Sequence, residues 1–246
     1  MIHIQWKWIW IYTISIYNNK EKYFLLNRYL ITSIILLSAF IIISLIVSPK
    51  INQGLDLANN LDKSIYLYVN NTHYNPINQF MIYLTLYGRD LFWILVIVFL
   101  FIFGGNMGKK TAFILSLIII ALIPIGIISK QVIERPRPII PDNDILIQAD
   151  SEFSFPSGHA LIVSAGAMTV LSLFRDSNKK FAISLILTLE AALVCISRVY
   201  VGGHYPLDVV GGIILGVGVS CLFLWKENKL YLMYQQIRSR LKRGAK

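Results

Sequence analysis

The chain has 246 residues, 56% of them hydrophobic and only 15% charged, and its formal net charge is +10. This length fits one domain, and the long apolar runs approach or exceed the roughly 17–25 residues that cross a bilayer. Composition therefore excludes an ordinary water-soluble domain and predicts an all-α, polytopic membrane protein. Cys195 and Cys221 both lie inside apolar runs, which excludes a disulfide framework.

The apolar runs and their charged boundaries predict six transmembrane helices. The intervening loops alternate sides, and most of the 23 lysines and arginines then fall on the side of both termini. Positively charged loops favour the cytoplasm, so we expect both termini to be cytoplasmic. The predicted spans are 29–48, 90–105, 111–129, 158–174, 181–199 and 206–225.

Three further segments complete the predicted organisation. Residues 1–28 carry three tryptophans before a charged stretch, which is typical of an interfacial or cytoplasmic segment. Residues 29–84 comprise the first span and an outer excursion with one or two amphipathic helices. A core follows over 85–226, and 227–246 is a basic cytoplasmic tail. Such a tail favours anionic lipid headgroups, and we expect no nucleic-acid partner.

Three polar segments fall together on the predicted outer face. They are KQVIERPRP at 130–138, FPSGHA at 155–160 and SRVYVGGHYPLD at 197–208. Each alone has an ordinary structural explanation, such as a helix end, a stiff turn or an N-cap. Charged groups near a membrane are costly, so their joint arrival on one face predicts a functional site.

The residue types in these segments suit a phosphate group. Lys130, Arg137 and Arg198 supply positive charge, and arginine's planar fork matches phosphate oxygens. Ser157 and Gly158 lie where the fourth predicted span begins, and a helix N-terminus favours an anion. No carboxylate or cysteine cluster suggests a metal site, so we expect neither a metal nor another cofactor.

Two histidines can perform the chemistry on that phosphate. His204 and Asp208 are four residues apart, and if a helix begins near Pro206 they face one another across its first turn. A carboxylate that holds one imidazole nitrogen leaves the other as a nucleophile. His159, on a different helix, can protonate the leaving oxygen.

The spacing of these motifs resembles that of the type 2 phosphatidic acid phosphatase family, which shares its core with vanadium haloperoxidases. In that pattern a lysine and, six residues later, Arg-Pro are followed by Pro-Ser-Gly-His. The last motif is Ser-Arg, five residues, His, three residues and Asp. Every position is matched here, and the spacing selects Arg137 rather than Arg135.

The resemblance implies a metal-independent lipid phosphatase with a helical-bundle fold. His204 would form a phosphohistidine, Asp208 would orient it and His159 would act as the acid. The resemblance assigns phosphate binding to Lys130, Arg137, Ser157, Gly158 and Arg198. The implied substrate is a polyprenyl diphosphate or a glycerolipid phosphate at the outer face of the cell membrane.

Two other functions remain open at this point. Six spans and intramembrane charge also suit a transporter or channel with a polar outer vestibule, although only Glu190 lies near mid-span. A haloperoxidase-like enzyme that holds vanadate would share the same motifs. The loop 139–155 carries several carboxylates and is either a lid or a solvated loop. The sequence does not predict the oligomeric state.

Overall fold

The computed structural model describes residues 27–51, 56–139, 146–147 and 152–244. These residues form an all-helical bundle, which confirms the predicted fold class. The predicted N-terminal segment 1–28 lies outside the described residues except for its last two. The helices are α1 Asn27–Val47, α2 Asp56–Asn70, α3 Asn75–Tyr87, α4 Asp90–Phe103, α5 Gly105–Ile133, α6 Gly158–Leu173, α7 Asn178–Tyr200, α8 Pro206–Trp225 and α9 Glu227–Gly244.

Four described helices, α1, α5, α7 and α8, are long and apolar enough to cross a bilayer. Helices α3 and α4 pass the same test only as a pair, bent by 60° at a short break. Helix α6 is apolar but has 16 residues, below the usual length of a span. The chain is thus a multi-pass membrane protein with four or five clear spans, and the count of six remains a prediction.

The boundary between α4 and α5 differs from the prediction. The third span was expected at 111–129, but α5 has 29 residues and begins at Gly105. Gly104 alone separates the two helices, and Gly105 adopts a φ of 65°, which glycine tolerates without strain. Lys110 therefore lies inside α5, where its Nζ is 3.2 Å from Glu227 Oε2 at the start of α9. The predicted basic tail, 227–246, is helical over Glu227–Gly244, the range of α9.

Helix α6 lies at the centre of the bundle, against α5, α7 and α8. Its Ala160, Val163 and Val170 have no exposed surface. Helix α8 approaches it very closely, because a Cβ on Gly216 would lie 2.3 Å from the Leu161 carbonyl oxygen. The first turns of α6 and α8 also lie side by side, because the Ser157 backbone N–H donates to the Asp208 carbonyl oxygen.

Helices α2 and α3 occupy the predicted outer excursion and pack against α7. Asn70 Nδ2, at the end of α2, donates to the Val199 carbonyl oxygen at 3.0 Å, and His73 Nε2 lies 2.7 Å from the Tyr200 carbonyl oxygen. Both helices therefore cover the end of the bundle where α5 and α7 finish and where α6 and α8 begin.

Candidate active site

The three sequence motifs meet at this covered end of the bundle. Lys130 is in the last turn of α5, and an extended segment after the helix carries Arg137. Ser157 and Gly158 open α6, while Arg198 is in the last turn of α7. The predicted site residues, with His159, His204 and Asp208, thus come from the ends of four helices and the turns beside them.

His204 and Asp208 face each other as the helical spacing predicts. Nδ1 of His204 is 3.5 Å from Oδ2 of Asp208, and both side chains are almost fully buried. The same carboxylate oxygen accepts a hydrogen bond from the Tyr205 backbone N–H at 2.9 Å, which caps α8. Nε2 of His204 lies 3.3 Å from Nη1 of Arg137. Because a guanidinium only donates, these contacts assign the ring hydrogen to Nδ1 and the lone pair to Nε2.

Two arginines contact the segment formed by Gly203 and His204. Arg137 is held by carbonyl oxygens, since its Nη1 donates to Gly203 at 2.8 Å and its Nε donates to Glu152 at 2.7 Å. The guanidinium of Arg198 lies close to Gly203, where a Cβ would come within 2.8 Å of Nη2. Glycine leaves room here for the guanidinium to approach the backbone. Arg137 therefore places positive charge beside Nε2, the nitrogen that carries the lone pair.

The first turn of α6 supplies further anion-binding groups. Ser157 is the N-cap residue, and its backbone N–H donates to the Asp208 carbonyl oxygen at 2.9 Å. Its hydroxyl does not cap the helix, and among the described residues this buried Oγ has no hydrogen-bond partner. A buried polar atom without a partner is costly, so a ligand oxygen is a suitable partner for this hydroxyl.

Lys130, one of the predicted phosphate ligands, is paired with an acid in the structure. Its Nζ lies 2.6 Å from Oε2 of Glu152. Glu152 is mostly exposed, whereas the side chain of Lys130 is 13% exposed. The Lys130 ammonium group therefore lies at the predicted site, and an incoming phosphate would compete with the Glu152 carboxylate for it.

His159 lies next to the phosphate-binding turn, and both its ring nitrogens have neighbours. Nε2 is 2.9 Å from the Thr85 carbonyl oxygen, which can only accept, so Nε2 carries a hydrogen. Nδ1 is 3.5 Å from Nη1 of Arg89. To act as an acid toward a substrate, His159 must acquire a proton at Nδ1, the nitrogen that Arg89 faces.

Arg135, which the motif spacing set aside, forms two buried ionic contacts at the site. Its Nη1 is 2.6 Å from Oδ1 of Asp208, and its Nη2 is 2.6 Å from Oδ2 of Asp62 in α2. Asp62 also accepts from the Leu207 backbone N–H at 2.8 Å. The guanidinium lies 4.5 Å from the ring centroid of Tyr205, within cation–π range. The carboxylate beside His204 is thus held by Arg135, which is itself held by Asp62 in α2.

Burial shifts the pKa values of this cluster. Burial raises the pKa of Asp62, and the hydrogen bond and charge of Arg135 oppose that shift without cancelling it. Burial alone would lower the pKa of Arg135, but Asp208 and Asp62 outweigh it and the net shift is upward. Arg135 therefore stays charged, and the Asp62 carboxyl group protonates more readily than that of an ordinary aspartate.

Two other residues near the site escaped the sequence analysis. Thr85 in α3 is buried, and besides its carbonyl contact to His159 its Oγ1 accepts a hydrogen bond from Arg198 Nη1. Arg89 lies at the break between α3 and α4, and its Nη1 is 3.5 Å from Nδ1 of His159. A charged residue beside a short apolar run was the available signal for Arg89, whereas no local pattern marks Thr85.

Glu190, the acid within α7, contacts the indole of Trp93. Nε1 of Trp93 donates to Oε2 of Glu190 at 3.2 Å. This contact is a structural pairing and lies outside the cluster around His204.

A cavity of about 400 Å³ opens between the end of α5 and the start of α6. Its polar lining contains Lys130 and Arg89 with their acidic partners Glu152 and Asp90, beside Gly158. Its remaining wall is apolar and comes from three neighbouring helices, α4, α5 and α6. The apolar lining consists of Ile94, Ile119, Leu122, Ile123, Ile127, Leu161 and Ile162.

Comparison with known proteins agrees with this arrangement. Residues 110–231 match the family model of the PAP2 superfamily. An undecaprenyl-diphosphatase of Sulfolobus acidocaldarius is 35% identical over 79% of this chain and 90% of that protein. The undecaprenyl-diphosphatase BcrC of Bacillus subtilis is 29% identical over 62% of this chain and 76% of that protein.

A solved structure gives the same result for the fold. The PAP2 type phosphatidylglycerolphosphate phosphatase of Bacillus subtilis superimposes with a TM-score of 0.63 and 26% identity, covering 80% of this chain and 96% of that one. The chain is therefore a hydrolase of the membrane lipid phosphatase class. It belongs to the PAP2 superfamily, as the resemblance of its motifs predicted.

Proposed function

We propose that the protein removes the terminal phosphate of a lipid phosphate, with a polyprenyl diphosphate of the undecaprenyl type as the preferred substrate. The cavity lined by Lys130 and Arg89 carries this proposal, because its polar end continues into an apolar wall on α4, α5 and α6. A phosphate headgroup fits the first and a hydrocarbon tail the second. The undecaprenyl-diphosphatases among the relatives favour the diphosphate over a glycerolipid phosphate.

In the proposed mechanism Nε2 of His204 attacks the terminal phosphorus and forms a phosphohistidine. Asp208 holds the Nδ1 hydrogen and stabilises the imidazolium that forms. Lys130, Arg137 and Arg198, with Ser157 and Gly158, neutralise the phosphate oxygens in the transition state. Water then releases phosphate from the histidine.

His159 is the proposed general acid of the first step. It belongs to the turn that carries Gly158, so it lies beside the phosphate-binding groups. A proton on Nδ1 would pass to the leaving oxygen, and the neutral ring would then accept a proton from the attacking water.

The proposed topology has six spans, in which the bent pair α3–α4 supplies the second and α6 the fourth. Both termini are then cytoplasmic and the site is extracytoplasmic. The excess of lysine and arginine on the terminal side supports this orientation. Accessibility of single cysteines at positions 63 and 240 to a membrane-impermeant reagent in intact cells tests it, with labelling expected at position 63 alone. Labelling at position 240 instead would reverse the orientation.

The activity is tested with purified protein in detergent containing a chelator. Phosphate release is measured from a long-chain polyprenyl diphosphate, phosphatidic acid, phosphatidylglycerophosphate and a soluble phosphate ester. We expect release that is fastest from the diphosphate and absent in His204→Ala. Quenching with a substrate labelled in its terminal phosphate should give labelled, acid-labile protein in the wild type. Equal release by His204→Ala would overturn the mechanism, and release from none of the lipids would overturn the function.

A further inference from the structure

We propose that Arg89 binds the phosphate that stays on the lipid when a diphosphate is cleaved, and so determines the preference for diphosphates over monoesters. This inference rests on the proposed function. It concerns the leaving-group side of the site, which the family motifs leave without a cation of its own.

The position of Arg89 is fixed by the residue that follows it. Its Nε lies 2.7 Å from Oδ1 of Asp90 and its Nη2 lies 2.6 Å from Oδ2. This bidentate contact occupies one edge of the guanidinium and directs Nη1 toward the first turn of α6. Nη1 is there 3.5 Å from Nδ1 of His159 and 3.5 Å from the place of a Cβ on Gly158. Arg89 thus lines the cavity next to the proposed acid.

The same geometry distinguishes two kinds of leaving group. If His159 is protonated at Nδ1, two positive groups face each other across 3.5 Å. Like charges at such a distance repel each other unless an anion lies between them. A leaving phosphate supplies that anion, whereas the oxygen of a lipid alcohol becomes neutral once it is protonated.

The basicity of the two leaving groups also favours a phosphate as the leaving group at this site. A phosphate monoester has a second pKa near 6, so as a leaving group it needs little help from an acid. An alkoxide is far more basic and depends on full proton transfer from His159. A site with a cation beside its acid is therefore suited to a phosphate leaving group.

With a lipid diphosphate, the first step transfers the terminal phosphoryl group to His204. The lone pair of His204 Nε2 forms a bond to the terminal phosphorus, and the bond from that phosphorus to the bridging oxygen breaks. Both electrons of the broken bond go to the bridging oxygen, which receives the proton from His159 Nδ1 and pairs with Arg89. The products of this step are phosphohistidine and the lipid monophosphate. Water then attacks the phosphohistidine, the N–P electron pair returns to Nε2, and His159 takes the proton of the water.

The test compares two substrates that share a tail, geranylgeranyl diphosphate and geranylgeranyl monophosphate, in the same detergent micelles. The measured quantity is the ratio of their kcat/KM values. We expect Arg89→Gln to lower this ratio by about 10- to 100-fold, as for loss of a charge-assisted hydrogen bond. Arg89→Lys keeps the charge without the fork and should lose less. Arg175→Gln, an exposed arginine in the loop after α6, is the matched control and should keep the wild-type ratio.

An equal loss on both substrates in Arg89→Gln would overturn the inference, because a general phosphate ligand or a misfolded site would behave in that way. An unchanged ratio would overturn it as well. Hydrolysis of neither substrate by the wild type is a different result, which refutes the proposed function and the inference with it. Inhibition gives a second readout: pyrophosphate should inhibit more strongly than phosphate in the wild type, and Arg89→Gln should remove that difference.

Discussion

Arg135 joins Asp208, the carboxylate beside His204, to Asp62 in a helix that lies more than 70 residues earlier in the chain. Both contacts are 2.6 Å long and buried. The partner of the proposed nucleophile is thereby anchored to a helix outside the motif-bearing core. The pair Arg135–Asp208 thus connects helix α2 to His204, the proposed nucleophile.

Replacing Asp62 with asparagine should slow the reaction without weakening substrate binding. The variant removes one of the two carboxylates on Arg135, so Arg135 and Asp208 shift while the phosphate-binding residues stay in place. We expect kcat to fall by about 10-fold or more, as when a residue that orients a metal-binding histidine is replaced. KM should stay near the wild-type value. Steady-state kinetics on the polyprenyl diphosphate measure both. Lys63→Gln, at the next and exposed position, is the control. A raised KM with unchanged kcat would contradict the positioning role.

Asp208→Asn should be almost inactive. An amide can donate as well as accept, so it no longer holds the hydrogen on Nδ1 of His204, and Arg135 loses one of its two charged partners. The comparable loss in a histidine–aspartate pair is about 10⁴-fold in kcat. Single-turnover phosphate release measures the effect, with Asp176→Asn as an exposed control far from the site. A loss of less than about 10-fold would mean that His204 does not need the carboxylate.

Glu152→Gln should strengthen substrate binding. In the structure Glu152 holds Nζ of Lys130, and a phosphate must displace it. Exposed ion pairs contribute up to about 1 kcal/mol, so KM should fall by about 2- to 5-fold. The difference between variant and wild type should shrink as ionic strength rises. Lys130→Gln should change KM in the opposite direction. A higher KM in Glu152→Gln would instead indicate that the acid helps to bind the substrate.

Thr85→Val should weaken phosphate binding through Arg198. Valine has nearly the shape of threonine but cannot accept the hydrogen bond from Arg198 Nη1, while its carbonyl can still contact His159. We expect kcat/KM to fall by about 10-fold, consistent with the loss of a hydrogen bond to a charged group. Thr85→Ser keeps the hydroxyl and should remain close to the wild type. Equal activity of the two variants would show that the hydroxyl does not position Arg198.

Gly216→Ala should destabilise the protein. The added methyl group would lie 2.3 Å from the Leu161 carbonyl oxygen, so α8 would have to move away from α6. Overpacking of this kind costs about 1–3 kcal/mol and lowers the midpoint of thermal unfolding in detergent. Gly218→Ala is the matched control, because its nearest neighbour is a movable side-chain atom of Leu37 at 3.2 Å. Equal midpoints in the two variants would contradict the close packing of α6 and α8.

Local patterns in the sequence were enough to predict the features that depend on one helix or one turn. His204 and Asp208 are four residues apart, and the geometry of a helical turn brings such residues together wherever the helix packs. The apolar runs predicted helices because a bilayer leaves the backbone no other partner than itself. The boundaries of α4 and α5 were less predictable, since a single glycine with positive φ allowed a much tighter turn than the charges suggested.

Only the tertiary structure decided which residues from distant segments surround those motifs. Arg135 and Arg137 both precede a proline, and nothing local shows that the first binds Asp208 and Asp62 while the second faces His204. In the same way, Arg89 reaches His159 only because α3 and α4 bend over the start of α6. Such contacts join residues about 70 positions apart or more, and their existence depends on how whole helices pack. A sequence read by periodicity and spacing carries no information about that packing.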